Sequence, residues 1–141
     1  MTFLALFILI AGFIIGLGAV TVIDIHGFLG RKSSYWSEAT TRTHKVTKPL
    51  IWVGISLVLI GSLLIYSDEL LVGQLAIIAL LVLNGLFLSF RVSPYLLEQE
   101  RLGKATEVLP ASWQRKIMVS MIMSDIGWWG SVAILCYHLT S

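Results

Sequence analysis

Four long apolar stretches, each of about 20 residues or slightly more, constrain this chain more than any other feature of its sequence. A transmembrane helix needs roughly 20 mostly apolar residues to cross about 30 Å of hydrocarbon, and it satisfies its own backbone hydrogen bonds. The stretches do not alternate polar and apolar residues as the strands of a membrane barrel do. We therefore predict helices over residues 3–24, 47–66, 70–91 and 114–139.

The composition favours a membrane protein over a soluble one. Of the 141 residues, 57% are hydrophobic and 13% are charged, whereas soluble domains average about 25% charged residues. A large core does not explain the difference, because a chain this short leaves much of its surface exposed. The sequence therefore predicts an all-α fold, an integral membrane four-helix bundle that forms a single domain over residues 1–141.

The basic residues lie on one side of the predicted bundle. They fall in or beside the first and third connections between helices, while the short turn at residues 67–69 and both termini have none. The positive-inside rule therefore predicts that the first and third connections are cytoplasmic and that both termini lie outside. The ten basic residues are Arg31, Lys32, Arg42, Lys45, Lys48, Arg91, Arg101, Lys104, Arg115 and Lys116.

Two prolines mark expected breaks near the cytoplasmic side. Ser93 followed by Pro94 is typical of an N-cap and first helical position, so we predict a short interfacial helix over about residues 94–102. Gly103 is the expected stop of that helix. Pro49 is expected to begin or kink the second membrane helix.

Two polar residues lie inside the apolar stretches. Asp125 lies eight residues past Ile117, where the fourth apolar stretch begins, and is therefore roughly 12 Å into that stretch at about 1.5 Å per residue. Asn84 has a broadly similar depth in the third stretch. We predict that the two side chains form a hydrogen-bonded pair across the bundle. Such a pair either holds two helices together or forms a ligand or proton site.

A second polar group is expected at the cytoplasmic ends of the first two helices, where Asp24, His26 and His44 lie. Asp24 either pairs with a nearby base or joins the two histidines in a polar vestibule that passes protons. His26 and His44 lie on the same side of the membrane and are the candidate axial ligands of a b-type haem. The spacing of the three residues matches no zinc motif, and we predict no metal site.

Glycines recur at helical spacing along the apolar stretches. Gly12 and Gly16 form a GxxxG pattern, which allows close approach of two helices. The pattern indicates either packing within the bundle or a dimer interface. No GxSxG, Walker loop, CxxC or HExxH motif is present, which favours a non-enzymatic role without deciding the question.

Five segments together resemble small, largely uncharacterised bacterial four-helix membrane proteins. These proteins are distantly similar to the copper-resistance D group and other small membrane haem proteins. The resemblance implies a bacterial inner-membrane protein, with haem b as the candidate cofactor, although this chain has no histidine within its first apolar stretch. The segments are GLGAVTVID from Gly16, HKVTKPLIWVG from His44, LNGL from Leu83, VSP from Val92 and IGWW from Ile126.

Three functional hypotheses follow. The first is a transport or accessory role that uses the intramembrane polar residues, the second is a haem-binding redox protein, and the third is a structural subunit of a larger membrane complex. The expected partners are the lipid bilayer and either further copies of the chain or other membrane proteins. A net charge of +2 does not favour a nucleic-acid partner.

Overall fold

Helix accounts for almost the whole chain. The computed structural model describes residues 2–141, with 89% helix and no strand among those residues, which confirms the predicted all-α four-helix fold. Four segments are long and apolar enough to cross a membrane, and one of them, Asp68–Arg101, contains two successive helices. The helices are α1 (Phe3–Gly30), α2 (Ser34–Ile65), α3 (Asp68–Phe87), α4 (Ser93–Arg101) and α5 (Ala111–Thr140).

The first two helices extend well beyond the predicted apolar cores. α1 continues to Gly30 rather than residue 24, and α2 begins at Ser34 rather than residue 47. The polar start of α2 is stabilised by Ser33, whose hydroxyl accepts a hydrogen bond from the Trp36 backbone N–H at 3.5 Å. Pro49 lies inside α2 and does not begin it. Hydropathy therefore located both helices and underestimated their length.

The predicted break at Ser93 is wrong. Ser93 is itself helical, and α3 continues through a single π-helical turn, Leu88–Val92, directly into α4. A proline ring clashes with the carbonyl four residues earlier, and the wider π turn gives Pro94 that space. The expected separate interfacial helix is thus an extension of α3. It ends before Gly103, whose φ of 73° is favourable for glycine.

The bundle consists of two closely packed helix pairs, α1 with α2 and α3 with α5. A Cβ on Gly12 would lie 2.8 Å from the Val58 backbone nitrogen, and a Cβ on Gly54 would meet the backbone of Gly16. The GxxxG pattern of α1 therefore serves packing inside the bundle, not a dimer interface. Only residues without a side chain allow the two backbones to come this close.

Trp128 joins the two helix pairs at the centre of the molecule. The side chain is fully buried, and its indole lies directly against Gly16 of α1. The ring meets Phe13 edge-on, with 6.5 Å between ring centroids, a favourable arrangement for two aromatic groups. The ring therefore fills the space between α1 and α5 at the level of Gly16.

Candidate functional site

A cavity lies between the two helix pairs, on the side where α1 ends and α5 begins. It encloses about 860 Å³ of space not filled by protein atoms, part of it open to the surroundings. Its walls are mostly apolar and include the fully buried Trp128. Binding sites for small molecules typically combine apolar walls with a few polar groups. The polar lining includes Asp24, His44, Lys48, Asn84, Ser89 and Ser124.

Asp24 contributes a carboxylate without a partner to this cavity. Its Oδ2 atom is buried and makes no hydrogen bond to another protein group. The predicted pairing of Asp24 with a nearby base is wrong, because none of the ion pairs among residues 2–141 involves it. Those pairs join Arg42 to Glu38, Lys45 to Glu100 and Arg101 to Glu98.

His44 lines the same cavity from α2. Both of its ring nitrogens are buried, and neither makes a hydrogen bond of normal geometry with the protein. A neutral imidazole has one donor and one acceptor, so both functions of the buried His44 ring lack a partner within the protein. One helical turn further along α2, the Lys48 ammonium donates a hydrogen bond to the Ser93 hydroxyl at 3.4 Å.

His26 does not join this group. Its Nδ1 atom lies 3.0 Å from the Thr43 hydroxyl, its ring packs against Trp36 at 5.2 Å between centroids, and it is not among the residues lining the cavity. The structure therefore does not present His26 and His44 to one haem. Within residues 2–141 no group of three or more His, Cys, Asp or Glu side chains is placed to hold a metal ion.

The predicted pair between Asn84 and Asp125 is also wrong. The Asn84 amide donates to the Ser120 carbonyl at 3.0 Å, and the Ser120 hydroxyl donates back to the Asn84 side-chain oxygen at 2.7 Å. These two bonds join α3 to α5 at the cavity wall. Asp125 lies on the outer surface of α5, with an exposed side chain.

A second buried polar contact was not predicted from the sequence. The fully buried Gln74 amide donates a hydrogen bond to Ser131, again joining α3 to α5, on the other side of Trp128 from the cavity. The side-chain oxygen of Gln74 and the indole nitrogen of Trp128 have no partner. The available signal was a single glutamine within the third apolar stretch, comparable to Asn84.

The loop between α4 and α5, residues 102–110 (the roof loop), lies at the end of the bundle where α1 ends and α5 begins, and none of its residues lines the larger cavity. The Ser37 hydroxyl donates to the Glu107 carbonyl at 2.9 Å, and the Gln114 amide donates to the Leu109 carbonyl at 2.8 Å. A smaller cavity of about 410 Å³ lies against this roof loop and shares wall residues with the larger one. The roof loop is thus fixed to both helix pairs.

Comparisons of the chain with protein-family models, with curated proteins and with solved structures find no match. The resemblance to small bacterial membrane proteins and to the copper-resistance D group therefore stays a prediction. The cavity and its unpartnered polar atoms are the features that point to a function.

Proposed function

We propose that the protein binds a small, mostly apolar molecule with a hydrogen-bonding head group in this cavity, in a transport or accessory role within a membrane. The supporting observation is that Asp24 and His44 present buried, unpartnered polar atoms to a largely apolar space. Leaving a buried polar group without a partner costs about 1–3 kcal/mol. A ligand that supplies both partners recovers this free energy when it binds.

The lining residues indicate which chemistry the ligand carries. Its head group needs both a donor and an acceptor, as a hydroxyl or an amide has, because the wall offers a carboxylate and an imidazole. Lys48 adds a further donor on the same side as His44. The rings of Trp52 and Trp128 provide apolar surface for the remainder of the molecule.

The proposed orientation places the roof loop in the cytoplasm, in the inner membrane of a bacterial cell, with both termini outside. The one-sided distribution of the basic residues supports it. In a Cys136→Ser background, an impermeant maleimide added to intact cells is expected to label Ser67→Cys and not Lys104→Cys. Labelling of Lys104→Cys alone would reverse the topology.

Two glycines of α1 provide a matched test of the binding proposal. Gly27 lines the cavity, and a Cβ there would meet only the Met121 sulfur at an ordinary 3.6 Å. Gly18 is exposed, and a Cβ there would meet nothing within 4 Å. Gly27→Leu therefore fills the cavity, whereas Gly18→Leu adds the same side chain outside it.

The assay uses protein in lipid nanodiscs with Trp52 and Trp128 as fluorescent reporters, after the three tryptophans outside the cavity are replaced by phenylalanine. The probe is 6-bromo-2-naphthol, an apolar double ring with one hydroxyl and a bromine that quenches indole. We expect saturable quenching in the parent and in Gly18→Leu. Gly27→Leu is expected to weaken binding about tenfold, equivalent to roughly 1.4 kcal/mol.

The head-group contacts are tested by Asp24→Asn and by His44→Leu, which alter the polar wall while leaving the cavity open. Each is expected to weaken binding of the same probe severalfold. Quenching that rises linearly with probe concentration, equally in the two glycine variants, would mean that the probe only partitions into lipid. That result would refute the proposed binding site.

A further inference from the structure

Lys48 lines the larger cavity together with Asp24, so the cavity wall contains one basic and one acidic side chain. The Lys48 ammonium donates a hydrogen bond to the hydroxyl of the buried Ser93. None of the ion pairs formed within residues 2–141 includes Lys48. Charged groups inside a membrane protein are costly unless they are paired, and they mark sites where substrates or ions bind. Lys48, like Asp24, therefore lacks a partner of opposite charge within the described chain.

Asp24 and Lys48 face the cavity from neighbouring helices at nearly the same depth. Gly16 of α1 lies against Gly54 of α2, so Asp24, eight residues further along α1, is level with about residue 46 of the antiparallel α2. Lys48 is then only about 3 Å away along the helix axis. The two side chains nevertheless form no ion pair with each other. A carboxylate and an ammonium are thus held apart across one cavity.

We propose that the ligand of this cavity is a zwitterion on an apolar body, with an ammonium group that pairs with Asp24 and an anionic oxygen group that pairs with Lys48. An apolar amino acid has this chemistry. This ligand class rests on the proposed function, which it narrows. His44 lies one turn before Lys48 on the same side of α2, so its ring N–H can donate to the same anionic group.

The pairing of both charges favours a zwitterion over a simple ion. A ligand with one charge would leave either Asp24 or Lys48 without a partner, whereas a zwitterion pairs both and adds no net charge to the cavity. Because the walls are mostly apolar, the attraction between opposite charges is stronger there than in water. The apolar body of the ligand packs against the same walls.

The test compares four brominated probes built on one aromatic ring, in phosphatidylcholine nanodiscs with Trp52 and Trp128 as the fluorescent reporters. The first probe, para-bromophenylalanine, carries both charges. The second, para-bromophenylpropionic acid, lacks the ammonium, and the third, para-bromophenethylamine, lacks the carboxylate. The fourth, para-bromoethylbenzene, lacks both. Each probe is compared between protein variants, so its partitioning into lipid cancels.

We expect para-bromophenylalanine to bind the parent about tenfold more tightly than either singly charged probe. Lys48→Met should weaken binding of the two probes with a carboxylate about tenfold, and Asp24→Asn should do the same for the two with an ammonium. The matched controls, Lys45→Met and Asp68→Asn, remove the same charges outside the cavity and should leave every affinity unchanged. Unchanged binding of para-bromoethylbenzene shows that the cavity of each variant remains folded.

A second set of nanodiscs separates two sources of this chemistry. Phosphatidylethanolamine has an ammonium and a phosphate in its head group, and it replaces part of the phosphatidylcholine. Weaker binding of para-bromophenylalanine in these nanodiscs would identify a lipid head group as the natural occupant. Unchanged binding would identify a free solute of the amino acid type.

Three results would overturn the proposal. If Lys48→Met and Asp24→Asn leave the affinities of all charged probes unchanged, water satisfies both charges, and the binding of an apolar molecule stands without this ligand class. If the control variants weaken the charged probes as much as the cavity variants do, the charges are recognised outside the cavity. If none of the four probes quenches saturably, the proposed function itself fails.

Discussion

The close approach of α1 and α2 at Gly61 leads to a quantitative prediction for stability. A Cβ at Gly61 would lie 2.7 Å from the Leu9 Cβ, 2.8 Å from its Cα and 2.9 Å from its backbone nitrogen. Favourable contacts between carbon atoms lie at about 3.5–4.0 Å, so a methyl group would push the helices apart by roughly 1 Å. Two of these three atoms belong to the backbone of Leu9 and cannot rotate away.

Gly61→Ala is therefore expected to destabilise the bundle. Overpacking costs about 1–3 kcal/mol, and the higher helix propensity of alanine returns at most about 1 kcal/mol. We expect a net loss of about 1–2 kcal/mol in the free energy of unfolding.

The measurement is a titration from mild detergent into dodecyl sulfate, followed by tryptophan fluorescence and circular dichroism. Gly18→Ala is the matched control in the same helix pair, because its added methyl group meets nothing within 4 Å. The control is expected to be as stable as the parent or slightly more so. If Gly61→Ala unfolds at the same detergent fraction as Gly18→Ala, the packing argument is wrong.

Three further predictions use the same titration. Ser131→Ala leaves the buried Gln74 amide without its partner and should cost about 1 kcal/mol in the free energy of unfolding. This loss should exceed that of Gln74→Leu, which removes both polar functions of the side chain; a larger loss in Gln74→Leu would contradict the argument. Trp128→Ala should cost about 3–5 kcal/mol by opening a void, and Trp128→Phe clearly less; equal losses would show that the ring does not fill the centre. Lys45→Ala should cost less than about 1 kcal/mol, because the ion pair with Glu100 is partly exposed; a larger loss would show a structural role.

Hydropathy predicted the existence of the four membrane-length helices because lipid imposes a minimum apolar length on each. It did not predict their ends. The polar start of α2 is helical through its Ser33 cap and tertiary contacts, which hydropathy does not measure. The helix break expected at Ser93 does not occur, because a π turn accommodates Pro94 within a continuous helix. Hydropathy carries no information on such backbone geometry.

The candidate site was predicted in part. Asp24 and His44 line one cavity, as their shared depth indicated, whereas His26 turns to Thr43 instead. The pairing predicted for Asn84 and Asp125 is wrong because the depth of a residue along a helix does not determine on which side of the helix its side chain lies. A rotation of about 100° per residue decides whether a side chain faces a neighbouring helix or lipid, and packing sets that rotation.

The roof loop is attached to the bundle by neutral groups. A serine hydroxyl and a glutamine amide each donate to a backbone carbonyl, so neither bond is screened by salt or lost by titration of its donor. The roof loop should therefore stay attached to the bundle through high-salt washing of membranes, a treatment that weakens exposed ion pairs.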